Sequence, residues 1–374
     1  MTKTLLVLMT AGIAVSLLAC MRDPYIAPAE RDIPDLDREV FVINGLAETL
    51  SIIDPATLDI YNDVLVVGMW PNHILFHGGK LYITNSGDNS IRIYDETTFR
   101  ELGEIYTGKG TNPWSVILKT GTDKAYVPTF AAGEVAVVDL ATAAVDKRIA
   151  VGTGPEGGAF DPDRNKLYVC NTSWDYESFG FNEGTVSVID GATDTVIRTI
   201  SVEDGSYELG QGSNPQAAIA LPDIDEIHIV CTGKNGGPDS DDGKIVIIDA
   251  ITDTVKGTLP IGGSPLWSAD AIDPDNRIVY LAGIGGVMSY YYGLGLGSGD
   301  PPVILHGSGS YIIAGSDLEH DLFSGVAVDT QNNLIFVCNY TGDRIIVLQR
   351  SEPYDTVEEI EGSDGAQTPY LVVE

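Results

Sequence analysis

One pattern recurs five times along this chain: a β-rich run, an Asp with a Thr three places on, and a second β-rich run. Residues 186–202, "VSVIDGATDTVIRTISV", show it most plainly. The Asp stands at 54, 95, 139, 190 and 249, and Thr57, Thr98, Thr142, Thr193 and Thr252 follow it. Around each copy lie four short β-like runs, which in the second unit read "NHILF", "KLYITN", "SIRIYD" and "ELGEIYTG". Four strands at a period of about 40 to 60 residues describe propeller blades. A carboxylate at the head of a tight turn accepts backbone N–H bonds, and a Thr at its fourth place closes the turn. The repeated Asp is therefore expected to be a joint between the third and fourth strands, not a reactive group.

Counting inner strands gives the number of blades. Pro71, Pro113, Pro155, Pro215 and Pro265 each open one, a Pro-less strand starts after Ser324, and the last begins at Pro369. The sixth unit departs most, with "GVMSYYYG" as a third strand that lacks the Asp. From Val40 the repeat begins on a strand of the second type, and it ends with "PYLVV", an inner strand with no blade to enter. Each defect completes the other if residues 369–373 become the inner strand of the blade begun by residues 40–68, which removes an exposed edge. The expected fold is all-β: a seven-bladed propeller of four-stranded antiparallel blades over residues 40–374, its ring closed by the C-terminal strand joining the first blade. The 27-residue insert at 284–310 is rich in Gly and Tyr and is expected to project from the face of the Asp joints.

"KLYITN" and "KLYVCN", each followed by a turn, a "VSVID"-like strand, "ATDTV" and a "VG" ending, resemble the YVTN-repeat β-propeller family. The likeness covers nearly all of residues 40–374, whereas WD and kelch signatures are absent. It implies the propeller fold but no particular chemistry, because propellers host both binders and enzymes. Cys170, Cys231 and Cys338 share one slot of the repeated second strand. Equivalent Cα atoms in neighbouring blades lie about 9 to 10 Å apart, beyond the ~7 Å reach of a disulfide. These cysteines are expected to be small buried apolar residues.

The first residues are not part of this fold. Lys3, the apolar run Thr4–Leu18 and Ala19 read as a secretory signal over residues 1–19, too short and too broken by Thr for a membrane span. Leu17-Leu18-Ala19-Cys20 resembles the lipobox of bacterial lipoproteins, which implies acylation of Cys20. Met21 rather than Asp follows it, which by the same resemblance favours the outer membrane. Residues 20–39 hold Pro24, Pro28 and Pro34 among charges with no apolar period, as in an extended tether. The formal charge of −33 repels nucleic acid and anionic membrane surfaces. Contact with a membrane is thus expected through the lipid anchor only.

Function is sought where the repeats differ. The loops from second to third strand and the links between blades share one face, and it carries the long insertions 172–184, 203–215 and 232–244. Residues flanking each inner-strand Pro should ring the mouth of the channel on that face: Trp70, Asn72, His73, Asn112, Trp114, Glu156, Asn214, Gln216, Trp267, Phe323, Gln367 and Tyr370. Aromatic faces mixed with amides suit sugar rings or peptide segments. "PDSDDG" at 238–243 has a weak likeness to a calcium loop, with Asp239, Asp241 and Asp242 as the candidate ligands. No cofactor is required by any motif. The expected role is non-catalytic binding of an envelope protein, peptide or glycan. Two alternatives stay open: a cation-dependent hydrolase in which Asn112, Glu156 and Asn214 hold a hard cation, as resemblance to lactonase-type propellers implies, and a scaffold subunit of a surface complex.

Overall fold

A computed structural model describes residues 38–175, 177, 180–203, 212–233, 242–266, 271–313 and 321–373, with the backbone alone at 368 and 370–373. Seven four-stranded antiparallel sheets stand in a ring, as expected. Blade 2 runs outward from the axis as Pro71–Phe76, Lys80–Asn85, Ser90–Asp95 and Glu101–Tyr106. The inner strands of blades 4, 5 and 7 are Pro155–Asp161, Pro215–Leu221 and Phe323–Asp329. In blades 3 and 6 the inner strand shrinks to Ile117–Leu118 and Ile272–Asp273, and the leading prolines keep only single bridges, Pro113 to Thr129 and Pro265 to Gly283.

Burial explains the apolar pattern. Second strands such as Lys166–Asn171 are buried at every residue after the first, because neighbouring blades cover both faces. Tyr168, Cys170, Val186 and Val188 of blade 4 pack on Ile227, Ile229, Cys231 and Val246 of blade 5. Cys170, Cys231 and Cys338 are buried and unbridged. Fourth strands lie at the rim, and Thr195–Ser201 exposes five of its seven residues.

The repeated Asp is the turn device that the sequence suggested. Asp190 Oδ1 accepts the amides of Ala192 at 2.9 Å and Thr193 at 2.8 Å, and the Thr193 hydroxyl at 3.0 Å. Asp249 repeats the set with Ile251 and Thr252. These bonds hold the carboxyls of Asp95, Asp139, Asp190 and Asp249 below their ordinary range.

The structure adds a second use of that turn. The residue after the Thr is left-handed, as at Asp194 (φ 53°) and Asp253 (φ 55°), and its carboxylate faces the preceding blade. Lys166 and the Tyr168 hydroxyl both reach Asp253, at 2.8 and 2.7 Å. Lys124 and Tyr126 reach Asp194, both at 2.7 Å. Lys-x-Tyr on the second strand is therefore a clasp onto the next blade. Where Ala143 fills the turn slot, the Tyr82 hydroxyl falls back on the Leu140 carbonyl at 3.4 Å.

Closure of the ring follows the expected scheme with a corrected register. The last strand is Ala366–Val373 and pairs with Arg38–Asn44. Ala366 opposes Asn44, as Pro71 opposes Asn85, so Ala366 and not Pro369 occupies the leading slot. Pro369 lies within the strand, opposite Val42. An inner strand is a sheet edge, where a residue without an N–H is tolerated.

The insert of blade 6 divides between the two faces. Residues 292–302 join its third and fourth strands on the face of the Asp joints, while the chain after His306 returns towards the mouth. The first part is tied to blade 5 by a buried network. Glu226 accepts the Leu296 amide and Lys256 Nζ, both at 2.7 Å, and His228 Nε2 at 3.1 Å; His228 Nδ1 meets the Tyr290 hydroxyl at 2.9 Å.

Candidate functional site

The inner strands of blades 2 to 5 are entered through a backbone kink. Trp70, Asn112, Gly154 and Asn214 precede the leading prolines of blades 2 to 5 with φ of 54°, 52°, 63° and 50°. The carbonyl turned out by this kink accepts the amide just past the second strand: Ser86 on Trp70, Phe130 on Asn112, Thr172 on Gly154 and Thr232 on Asn214, at 2.9 to 3.0 Å. Asn enters left-handed backbone more readily than most residues. Asn112 and Asn214 therefore serve the backbone first. Their side chains are what that role leaves over.

Past the leading residue, Pro in blades 2, 4 and 5 and Phe323 in blade 7, the register slips by a residue, a bulge that turns the next side chain away from the ladder. A band of hydrogen bonds then links blade to blade. Gln367 Nε2 donates to the Pro71 carbonyl at 2.6 Å, the Thr84 hydroxyl to that of Trp114 at 3.0 Å, and the Ser115 hydroxyl to that of Glu156 at 2.8 Å. The Thr232 hydroxyl reaches the Pro265 carbonyl at 2.5 Å, and that of Ser324 reaches Ala366 at 3.4 Å. Gln367 is thus a latch across the closure of the ring.

Residues of the expected mouth separate into groups. Asn72 is tied to the Ser86 hydroxyl at 2.9 Å. The carbonyl of His73 accepts the Thr84 hydroxyl at 3.3 Å. Trp114 is half-buried beside Phe130, ring centres 5.7 Å apart. Phe323 departs from the expectation: it occupies the leading slot of its strand and is buried with Tyr280, Val326 and Val337 between blades 6 and 7. Tyr370 opposes Phe41 well inside the last strand, a consequence of the corrected register, and its side chain lies outside the described residues. Trp267, Asp239 and Asp241 also lie outside them; Asp242 is at the border of its loop.

What remains is a group in blades 3 to 5. Asn112 Oδ1, Glu156 Oε2, Asn214 Oδ1 and Nδ2, and Gln216 Oε1 are buried and find no hydrogen-bond partner among the described residues. Glu156 is 6% exposed, Asn214 0% and Gln216 7%. Blades 4 and 5 press together here, for a Cβ on Gly157 would stand 2.4 Å from the Gln216 carbonyl oxygen. Burial alone pushes the Glu156 carboxyl up to about 8. Buried polar atoms are nearly always paired, so unpaired ones recurring at the inner-strand entries of three successive blades are a binding signal. The sequence marked these four residues by position. It could not tell them from Asn72 or Gln367, whose amides are taken up by the protein itself.

Comparison with known proteins bears on the fold. No family model matches the chain, and no curated protein matches it. Among solved structures, a functionally unknown protein from Desulfotomaculum acetoxidans is similar at 13% identity and a TM-score of 0.65, over 89% of this chain and 98% of that one. Kuenenia stuttgartiensis hydrazine synthase is similar at 18% identity and a TM-score of 0.60, over 80% of this chain and 88% of that one. The Swd1 β-propeller domain of Myceliophteria thermophila is similar at 13% identity and a TM-score of 0.59, with the same coverage as the synthase. At such identities the likeness establishes the propeller fold and nothing finer.

Proposed function

We propose that this protein is a lipoprotein member of the YVTN-repeat propellers, anchored through Cys20 at the outer membrane, and that it binds an envelope glycan or peptide without chemical conversion. The observation that carries the reading is the set of unpaired polar atoms on Asn112, Glu156, Asn214 and Gln216, with the half-buried Trp114 at the same blade 3 entry as Asn112. Directional polar atoms beside an aromatic face are what a sugar ring or a peptide bond needs. Binding is preferred to hydrolysis because no nucleophile is seen bonded to a base among the described residues of this group.

The test is calorimetric titration of the full chain with soluble peptidoglycan fragments, which carry both sugar and peptide. Heat of binding that is lost in Trp114→Ala, with the urea midpoint retained, supports the reading. Absence of heat with the unaltered protein, or equal heat with Trp114→Ala, overturns it. Release of new reducing ends or peptides during the titration would turn the assignment to an enzyme.

A further inference from the structure

Two large apolar side chains stand out into solvent on the face of the Asp joints: Ile251, 62% exposed, and Leu294, 56% exposed. Ile251 lies two places after Asp249, a slot that holds Ala56, Thr97, Ala141 and Ala192 in blades 1 to 4. Leu294 belongs to the insert of blade 6. That insert reaches the foot of blade 5, where the Leu296 amide and Lys256 Nζ share Glu226 Oε1, each at 2.7 Å. Lys256 is on the strand Thr254–Pro260, which starts directly after the turn of Ile251. The two exposed residues thus come from neighbouring turns on one part of the face.

Both are held out by fixed backbone. Asp249 Oδ1 accepts the Ile251 amide at 3.0 Å. Glu226 is fully buried and holds the insert at Leu296, and Gly295 (φ 95°) comes so near that a Cβ on it would stand 3.0 Å from Glu226 Oε1. The same loop packs Leu296 over Gly257 and leaves Leu294 in solvent. In a chain with a charge of −33, apolar side chains so fixed and so exposed mark a contact surface.

The first strand shows what lies opposite this surface. Arg38 opposes Val373 at the joint-face end of blade 1, whereas Asn44 opposes Ala366 at the mouth. Arg38 is pinned there by Asp329 Oδ1 at 2.9 Å and by Gln331, in the joint-face turn of blade 7. Cys20 is 18 residues upstream, a reach of at most about 60 Å. A connection that leaves from this face brings this face, rather than the mouth, towards whatever holds Cys20.

We infer that the face of the Asp joints is turned to a lipid surface, that Ile251 and Leu294 touch it, and that the mouth points away. The inference rests on the proposed acylation of Cys20. The acidic charge favours a zwitterionic surface over an anionic one. With this orientation the blade entries that carry the unpaired polar atoms face the ligand and not the bilayer.

The test uses the full chain recovered from bacterial membranes, with the acyl chains on Cys20 read by mass spectrometry. Cys170, Cys231 and Cys338 are buried, so a thiol-reactive fluorophore goes to an introduced cysteine: Ile251→Cys, Leu294→Cys, or Lys109→Cys in an exposed link of the mouth face. Each protein is placed in phosphatidylcholine vesicles with and without a spin-labelled lipid that quenches on contact. Expected is quenching at 251 and 294 and none at 109. Quenching at 109 but not at 251 and 294 overturns the inference, because the mouth then faces the bilayer. A vesicle-bound protein quenched at none of the three also overturns it. So does a blue shift at 294 that grows with protein concentration without vesicles, which assigns the surface to a second copy. A Cys20 free of acyl chains brings down the anchor reading together with this one, whereas an acylated chain unquenched at 251 and 294 brings down this inference alone.

Discussion

Replacing Glu156 by Gln tests the physical reading of the mouth most directly. The Glu156 carboxyl lies in the folded chain with its ionisation held off to about 8, against an ordinary value of 4.5, and burial is the cause. Between these values the unfolded chain gives up a proton that the folded chain keeps. This contribution to stability is complete below about pH 4.5 and declines as the pH rises through the window, ending near pH 8. At about 1.4 kcal/mol per pH unit the ceiling is roughly 5 kcal/mol. Gln has the same shape and does not ionise. The variant should match the unaltered protein near pH 4.5 and gain on it steadily up to about pH 8, by some 3 to 5 kcal/mol. Urea unfolding of both proteins in chelator, across that range, reads the difference directly, and the 54 acids of the chain cancel but for this one. A difference that stays constant with pH would refute the reasoning, as would a Gln variant that is less stable at high pH. Either would mean that Glu156 is ionised and paired in the folded state.

Three further outcomes follow from the fold. Deleting residues 366–374 strips the inner strand from blade 1 and bares the edge Arg38–Asn44, so the melting temperature should fall by at least about 10 °C; an unchanged melt would refute the closure. Asp253→Ala removes the carboxylate that accepts from Lys166 and the Tyr168 hydroxyl between blades 4 and 5 and leaves both with the Ala250 carbonyl alone, so urea unfolding should show a loss of about 1 to 2 kcal/mol. The turn aspartates, with carboxyls lowered by bonds from Thr amides and hydroxyls, lend stability that is whole above about pH 3.8 and vanishes as the pH falls below it. Thr252→Val removes one such hydroxyl, so the acid-unfolding midpoint should move to higher pH, followed by far-ultraviolet circular dichroism.

Much of the fold is legible in the sequence because a propeller is a local structure repeated. Asp190 and Thr193 are neighbours in the chain, and their turn is set by bonds spanning two or three residues. Alternation and buried runs mark the strands, and the unmatched strands at Val40 and "PYLVV" reveal the closure. The register of that closure was less plain, because Pro369 resembles the leading prolines while the pairing of Asn44 with Ala366 depends on a strand over 300 residues away. The Lys-x-Tyr clasp is of the same kind: both halves stand in the sequence, yet Tyr168 and Asp253 are 85 residues apart.

The site shows the division most clearly. Sequence by itself determined a ring of candidate residues around the inner-strand prolines, since position within the repeat fixes the face and the end of each strand. Only the tertiary structure decided among them. It spent the amides of Asn72 and Gln367 on the scaffold, drew Phe323 into the core, and left Asn112, Glu156, Asn214 and Gln216 buried with unpaired oxygens. Whether a polar atom finds a partner depends on which blade stands beside it and how closely, and that is a property of the closed ring.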